Sequence, residues 1–271
     1  MTDTTKTTLD RRRPLLPEGW SSWMLAATSH VAVFALWWGV TALEVMPSFI
    51  LPSPGDTIAT LADPLYQWGS NTLVTATEIF VGYGLAIVTG VLTAMLFSWF
   101  RLLRATLFPL FITISMVPKV ALGPLLVVWF GYGITTNIFF AFLISIFPIL
   151  ITTARGLREV EPDLLDLVRA LNGTRWQIFR KIQFPSALPY IFSSMKVGAI
   201  LAVAGAIVGE FVASSQGLGY LMIQVQSTLD TAAMFMAVLL LSLLGVALFV
   251  FVLLLERIFV VKDARLDGAP S

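Results

Sequence analysis

Residues 120–154 contain no charged side chain, a run of 35 positions. A water-exposed fold cannot leave so long a stretch uncharged, whereas a helix crossing hydrocarbon needs about 20 mostly apolar residues in a row. Two breaks divide the run, Gly123-Pro124 and Gly131-Tyr132-Gly133. One span therefore ends before Gly131, and the next covers about 135–153. The same reading places spans at 23–43, 71–99, 105–130, 187–212 and 231–255, six in all. Residues 44–70 are polar and include Leu51-Pro52-Ser53-Pro54-Gly55-Asp56, which reads as a loop with a short surface helix. The first span lies too far from residue 1, and is too long, to be a cleaved signal peptide.

Composition agrees. Charged residues make up 12% of the chain, where a soluble domain carries about 25%. The net charge of +1 gives no basic patch for nucleic acid. Without cysteine, and with His30 as the single histidine, there is neither a thiolate metal site nor a histidine triad. The fold expected is an all-α polytopic membrane protein. Cytoplasmic loops collect Lys and Arg. With the N-terminus inside, 15 of the 17 basic residues fall in inside segments, and the other two, Lys119 and Lys196, fall within spans. Both termini are therefore expected in the cytoplasm. The chain divides into an N-terminal tail (1–22), one transmembrane domain (23–258) with a cytoplasmic loop at 155–186, and a C-terminal tail (259–271).

That loop is the most patterned segment. Pro162 suits the first turn of a helix. Asp163 and Asp166 sit near its positive end, with Arg169 toward the other. Leu164, Leu165, Val168 and Leu171 repeat at helical spacing. Asn172-Gly173 can supply a left-handed stop, and Thr174 with Gln177 forms a capping-box signal for a second helix. Trp176, Phe179 and Ile182 lie on that helix, which Pro185 is expected to end. The pair reads either as an amphipathic loop resting on the membrane or as a docking surface for a partner.

Here the residues carry a resemblance. Asp166-Leu167-Val168, Asn172, Ile182 and Phe184-Pro185 keep the spacing of the cytoplasmic loop of ABC importer permeases (Glu-Ala-Ala, three residues, Gly, nine residues, Ile, one residue, Leu-Pro). Asp stands for Glu, Leu-Val for Ala-Ala, Asn for Gly with Gly173 beside it, and Phe for Leu. Leu51-Pro52-Ser53-Pro54, Pro118-Lys119-Val120-Ala121-Leu122, Trp129-Phe130-Gly131-Tyr132-Gly133, Gly209-Glu210 and Gly217-Leu218-Gly219-Tyr220 resemble, in order, segments of the nitrate/sulfonate/taurine-type permeases. The wording around Lys119 is nearest to the pyrimidine-precursor and riboflavin branch.

The resemblance implies a type I ABC importer permease in the bacterial inner membrane, paired with a second copy and embedded in membrane lipid. The chain has no Gly-x-x-x-x-Gly-Lys-Ser/Thr phosphate loop. It is thus expected to bind no cofactor and to catalyse nothing, with ATP and magnesium held by a separate ATPase, in two copies. Asp166, Leu167, Val168, Arg169, Leu171, Asn172, Gly173, Ile182, Phe184 and Pro185 form the expected ATPase-coupling loop. A soluble solute-binding protein is expected at the outer loops, about 44–70 and 213–230.

Charges within spans are costly and mark candidate pathway or gate positions. Lys119, flanked by prolines and glycines where the helix should break, reads either as a site for an electron-rich solute or as the partner of Glu78 or Glu210. Those two carboxyls read as structural partners or gate elements. Lys196 is expected to snorkel, His30 to be satisfied locally, and Trp37 and Trp38 to face the bilayer. Gly205 and Gly209 have a spacing that suits either dimer or intrachain packing. A self-sufficient secondary transporter or channel is the competing class; few ionisable groups are available for its ion coupling.

Overall fold

A computed structural model describes residues 22–160 and 162–260. The expected tails at 1–22 and 259–271 lie almost wholly outside the described residues. Every regular element among those described is helical: α1 (Ser22–Ala42), α2 (Pro54–Ala59), α3 (Trp68–Trp99), α4 (Arg101–Ser115), α5 (Gly123–Phe130), α6 (Ile134–Gly156), α7 (Pro162–Ala170), α8 (Arg175–Ile178), α9 (Phe184–Ala213), α10 (Leu218–Ser227) and α11 (Thr231–Phe259). Five helices are long and apolar enough to cross a membrane, and α4 with the helical stretch Lys119–Phe130 makes a sixth, bent by 88°.

Small residues place α6 at the centre. It packs along most of its length between α3 and α9. A Cβ on Gly205 would lie 2.7 Å from Ala141 Cα, and one on Gly82 2.6 Å from the Ile138 carbonyl oxygen. Two backbones can approach this closely only where no side chain intervenes. Gly205 and Gly209 therefore serve packing within the chain, against Ala141 and Asn137 of α6. Around this seam Ile79, Tyr83, Ala86, Ile149, Ala199 and Ala202 are fully or nearly fully buried. The outer faces of α1, α3 and α11 stay apolar and exposed, as lipid requires.

The bent span follows from its prolines. Pro118 is extended (φ −63°, ψ 98°), a 3₁₀ turn covers Lys119–Leu122, and Pro124 opens α5. Gly131 (φ +77°) and Gly133 (φ +121°) then reverse the chain. The Gly133 amide donates to the Ala213 carbonyl at 2.7 Å, which ties this reversal to the end of α9.

Three expectations need correction. Pro185 does not stop the second loop helix. A π-helical turn at Phe179–Gln183 links α8 to α9, and Arg175–Ala213 forms one span of 39 residues. A wider turn accommodates a proline that has no N–H and whose ring would strike the preceding turn. Lys196 does not snorkel; it is 7% exposed and pairs with Glu256 of α11 at 3.2 Å. Trp37 does not simply face lipid. Its indole donates to the Pro52 carbonyl at 3.0 Å and its ring stacks on Phe235. Trp38 is exposed, and His30 Nδ1 is 2.7 Å from the Ala26 carbonyl on its own helix.

Candidate functional site

One polar site lies inside the bundle, a second at the break of the bent span and a third at the arginine-rich end. The first joins four helices. Thr75 and Glu78 stand three residues apart on α3 and so share a face. Thr75 Oγ1 donates to Glu210 Oε1 at 2.5 Å and accepts the Leu218 amide at 2.8 Å. The Gly219 amide donates to Glu210 Oε2, and the Tyr220 amide does so at 3.3 Å. Asn137 of α6 donates to Glu78 Oε1 at 2.7 Å. The second Glu78 oxygen, Oε2, is buried and has no hydrogen-bond partner among the described residues.

Glycines make this arrangement possible. A Cβ at Gly217 or Gly219 would collide with the Glu210 carboxyl, and Gly217 has φ +109°. The Gly217 amide donates to Asn71 Oδ1 at 2.8 Å. The amides that open α10 therefore fasten that helix to α3 and to Glu210, with the positive end of α10 facing a carboxyl. Glu78 is held by Asn137, and Glu210 by Thr75 and the α10 amides; neither is bonded to Lys119.

Lys119 sits at the break of the bent span. Its ammonium donates to the Ser115 carbonyl at 2.5 Å and lies 3.5 Å from that of Val117. It lies 5.0 Å from the Phe147 ring centroid. A cation at the free carbonyls of a helix end is favourable. Among the described residues no carboxylate pairs with it. The expected break is present, and the lysine caps one side of it.

The third site is the helix pair. α7 ends at Leu171-Asn172, with Asn172 left-handed (φ +55°), and the Gly173 amide closes the turn on the Val168 carbonyl at 2.9 Å. Thr174 and Gln177 form the full reciprocal capping box. Leu167, Leu171 and Trp176 are 57%, 73% and 55% exposed. Leu165, Val168 and Ile182 are half-buried against the bundle, Phe184 packs on its core, and Pro185 is exposed within the continued helix. Asp166 is exposed, and the Arg169 side chain lies outside the described set. Trp99 of α3 stacks into Trp176 and Phe179 with ring centroids 5.5–5.9 Å apart, which seats the pair on the bundle.

Asn137, Thr75 and Glu256 escaped the sequence reading. Asn137 is the one amide side chain in the charge-free run 120–154, and that isolation was a usable signal. Glu256 falls one residue beyond the expected sixth span, so its pairing across to α9 could not be seen.

Known proteins place the fold. The chain is similar to the MetNI methionine ABC transporter in inward facing conformations, with TM-score 0.58 and 21% identity, covering 70% of this chain and 97% of that one. The bundle with its bent pair α4 and Lys119–Phe130 thus shares the fold of a chain of that transporter. The profile described as "Binding-protein-dependent transport system inner membrane component" matches residues 86–260, and the chain belongs to that family. Relatives include a probable ABC transporter permease of Haemophilus influenzae, 36% identical over 79% of this chain and 87% of the relative. The riboflavin transport system permease of Chloroflexus aurantiacus is 34% identical over 86% and 87%. The formylaminopyrimidine transport permease of Halalkalibacterium halodurans is 30% identical over 82% and 89%. The chain is therefore a multi-pass inner-membrane permease component of a binding-protein-dependent ABC importer.

Proposed function

We propose that the α7–α8 pair is the surface on which a separate ATPase acts. The observation that carries this is a capped, rigid helix pair that holds Leu167, Leu171 and Trp176 out to solvent beside the basic residues. Large apolar side chains held out in this way suit a partner groove. The excess of arginine at this end and in the tails supports a cytoplasmic side for all three. Two ATPase subunits, each carrying ATP and magnesium, then serve two copies of this chain, which itself catalyses nothing. A binding protein delivers solute to the opposite face, at 44–70 and 213–230. Its cargo is a small nitrogen heteroaromatic of the flavin or pyrimidine class, in line with the relatives of 34% and 30% identity.

The test is ATP-dependent uptake in proteoliposomes holding the chain with the ATPase and binding protein that co-purify with it. Leu171→Asp and Gly173→Pro are expected to reduce uptake by about tenfold or more while ATP hydrolysis continues and the chain stays in the membrane. Leu171 is exposed, so aspartate leaves the fold intact; proline at 173 removes the amide bond to Val168. Normal coupling in both variants sinks the docking role. ATP-independent transport by the chain alone would favour a secondary transporter.

Lys119, Glu78 and Glu210 are the proposed pathway and gate groups, Lys119 attracting an electron-rich solute at the helix break. Lys119→Met is expected to lower uptake by about tenfold with assembly intact, and Lys119→Arg to retain most of it. Unchanged uptake in Lys119→Met rules the site role out.

A further inference from the structure

We propose that the cleft between α4 and α6 at the arginine-rich end binds one anionic phospholipid, its phosphate on the arginines and an acyl chain along the apolar floor. The membrane side assigned to this headgroup rests on the orientation proposed above. Four arginines reach the cleft from two separate stretches of chain. Arg101 and Arg104 come from the corner between α3 and α4, and Arg155 and Arg158 from the end of α6. The two adjoining hollows measure about 730 and 390 Å³ and share Arg104, Phe108 and Arg158.

Arg104 lies near enough to Arg101 and to Arg158 to be repelled by each. The one carboxylate in the cleft, Glu159, engages Arg155 at 3.5 Å. Arg101, Arg104 and Arg158 have no carboxylate partner among the described residues. Loop charge alone would satisfy the orientation rule without making these side chains converge. Guanidinium groups gathered around one hollow suit a phosphate, which they can grip two-pronged. Basic pockets between spans on the cytoplasmic side bind phospholipid headgroups for this reason.

The floor decides between a lipid and a free anion. Below the arginines the cleft is lined by Phe108, Ile112 and Ile151. Ile112 stands eight residues beyond Arg104, about 12 Å further along the helix. A soluble phosphate would leave this length unfilled, whereas a lipid fills both parts. The occupant would also matter mechanically. No residue of α4 is fully buried, and its hold on the bundle rests mainly on Phe108 and Phe111 against Phe97 and Phe147. A lipid wedged between α4 and α6 would hold it, and with it the break that carries Lys119.

Native mass spectrometry of the full chain in mild detergent tests this, with phosphatidylglycerol, phosphatidylcholine and inorganic phosphate titrated separately. Phosphatidylglycerol is expected to be retained in preference to the other two. The double variant Arg104→Gln/Arg158→Gln should weaken retention by about tenfold or more. Arg104→Lys/Arg158→Lys, which keeps the charge, should hold most of it. Ile112→Trp, which leaves every charge and fills the floor, should weaken it too. Equal retention by the parent and the double glutamine variant overturns the proposal. Displacement of the lipid by inorganic phosphate at equal concentration overturns it in favour of a free-anion site. Expulsion of the lipid on adding the ATPase overturns it in favour of a subunit contact. Orientation is read separately, by outside labelling of Ser227→Cys in this otherwise cysteine-free chain, so that failure of the two readings can be told apart.

Discussion

Replacing Gly205 by leucine is expected to destabilise the bundle by about 3 kcal/mol or more and to leave little folded protein in the membrane. The new Cβ would lie 2.7 Å from Ala141 Cα and 2.8 Å from the Phe140 carbonyl oxygen, both backbone atoms. Backbone cannot rotate away, so α9 and α6 must separate along the seam on which the molecule is built. Gly84→Leu is the matched control, because nothing lies within 4 Å of its Cβ position. It should change stability by about 0.5 kcal/mol or less. Denaturant unfolding in detergent, followed by tryptophan fluorescence, measures both. Similar midpoints for the two variants would show that the seam is not tight.

Glu256→Leu is the second large effect. It strands the Lys196 ammonium, 7% exposed, without the carboxylate that lies 3.2 Å away. Removing one member of a buried pair typically costs about 3–5 kcal/mol. Lys196→Met together with Glu256→Leu removes both charges and should recover most of that loss. The readout is again the unfolding midpoint, now across the four-member cycle. If the double variant is no better than Glu256→Leu, the pair is not the source of the effect.

The sequence made much of this legible, for identifiable reasons. Spans are set by apolar length, so five long helices appeared where expected, with the bent pair α4 and Lys119–Phe130 in the place of the expected third span; the helices read as starting at 71 and 187 begin earlier, their spans running Pro64–Trp99 and Arg175–Ala213. Pro118 and Pro124 announced that break because proline removes a donor wherever it sits. Thr174 with Gln177 announced a helix start because capping is a local property. Pairing between helices was not legible. A uniformly apolar helix gives no sign of its rotation, so Lys196 could not be joined to Glu256, nor Glu78 to Asn137. Pro185 misled for a different reason: its effect depends on whether the preceding turn can widen, and the π turn at Phe179–Gln183 does so.

That widened turn turns a loop and a span into a single shaft. Arg175–Ala213 counts 39 residues, about 58 Å at 1.5 Å per residue, against a hydrocarbon core of about 30 Å. Nearly half of the rod therefore projects beyond the oily layer. Its projecting tip carries Trp176, and its far end carries Glu210, gripped by the amides of Gly219 and Tyr220. The π turn at Phe179–Gln183 and the prolines Pro185 and Pro189 lie between the two, close to the tip. If the tip docks an ATPase as proposed, a push there would bear on the same continuous helix that holds Glu210, with no loop between.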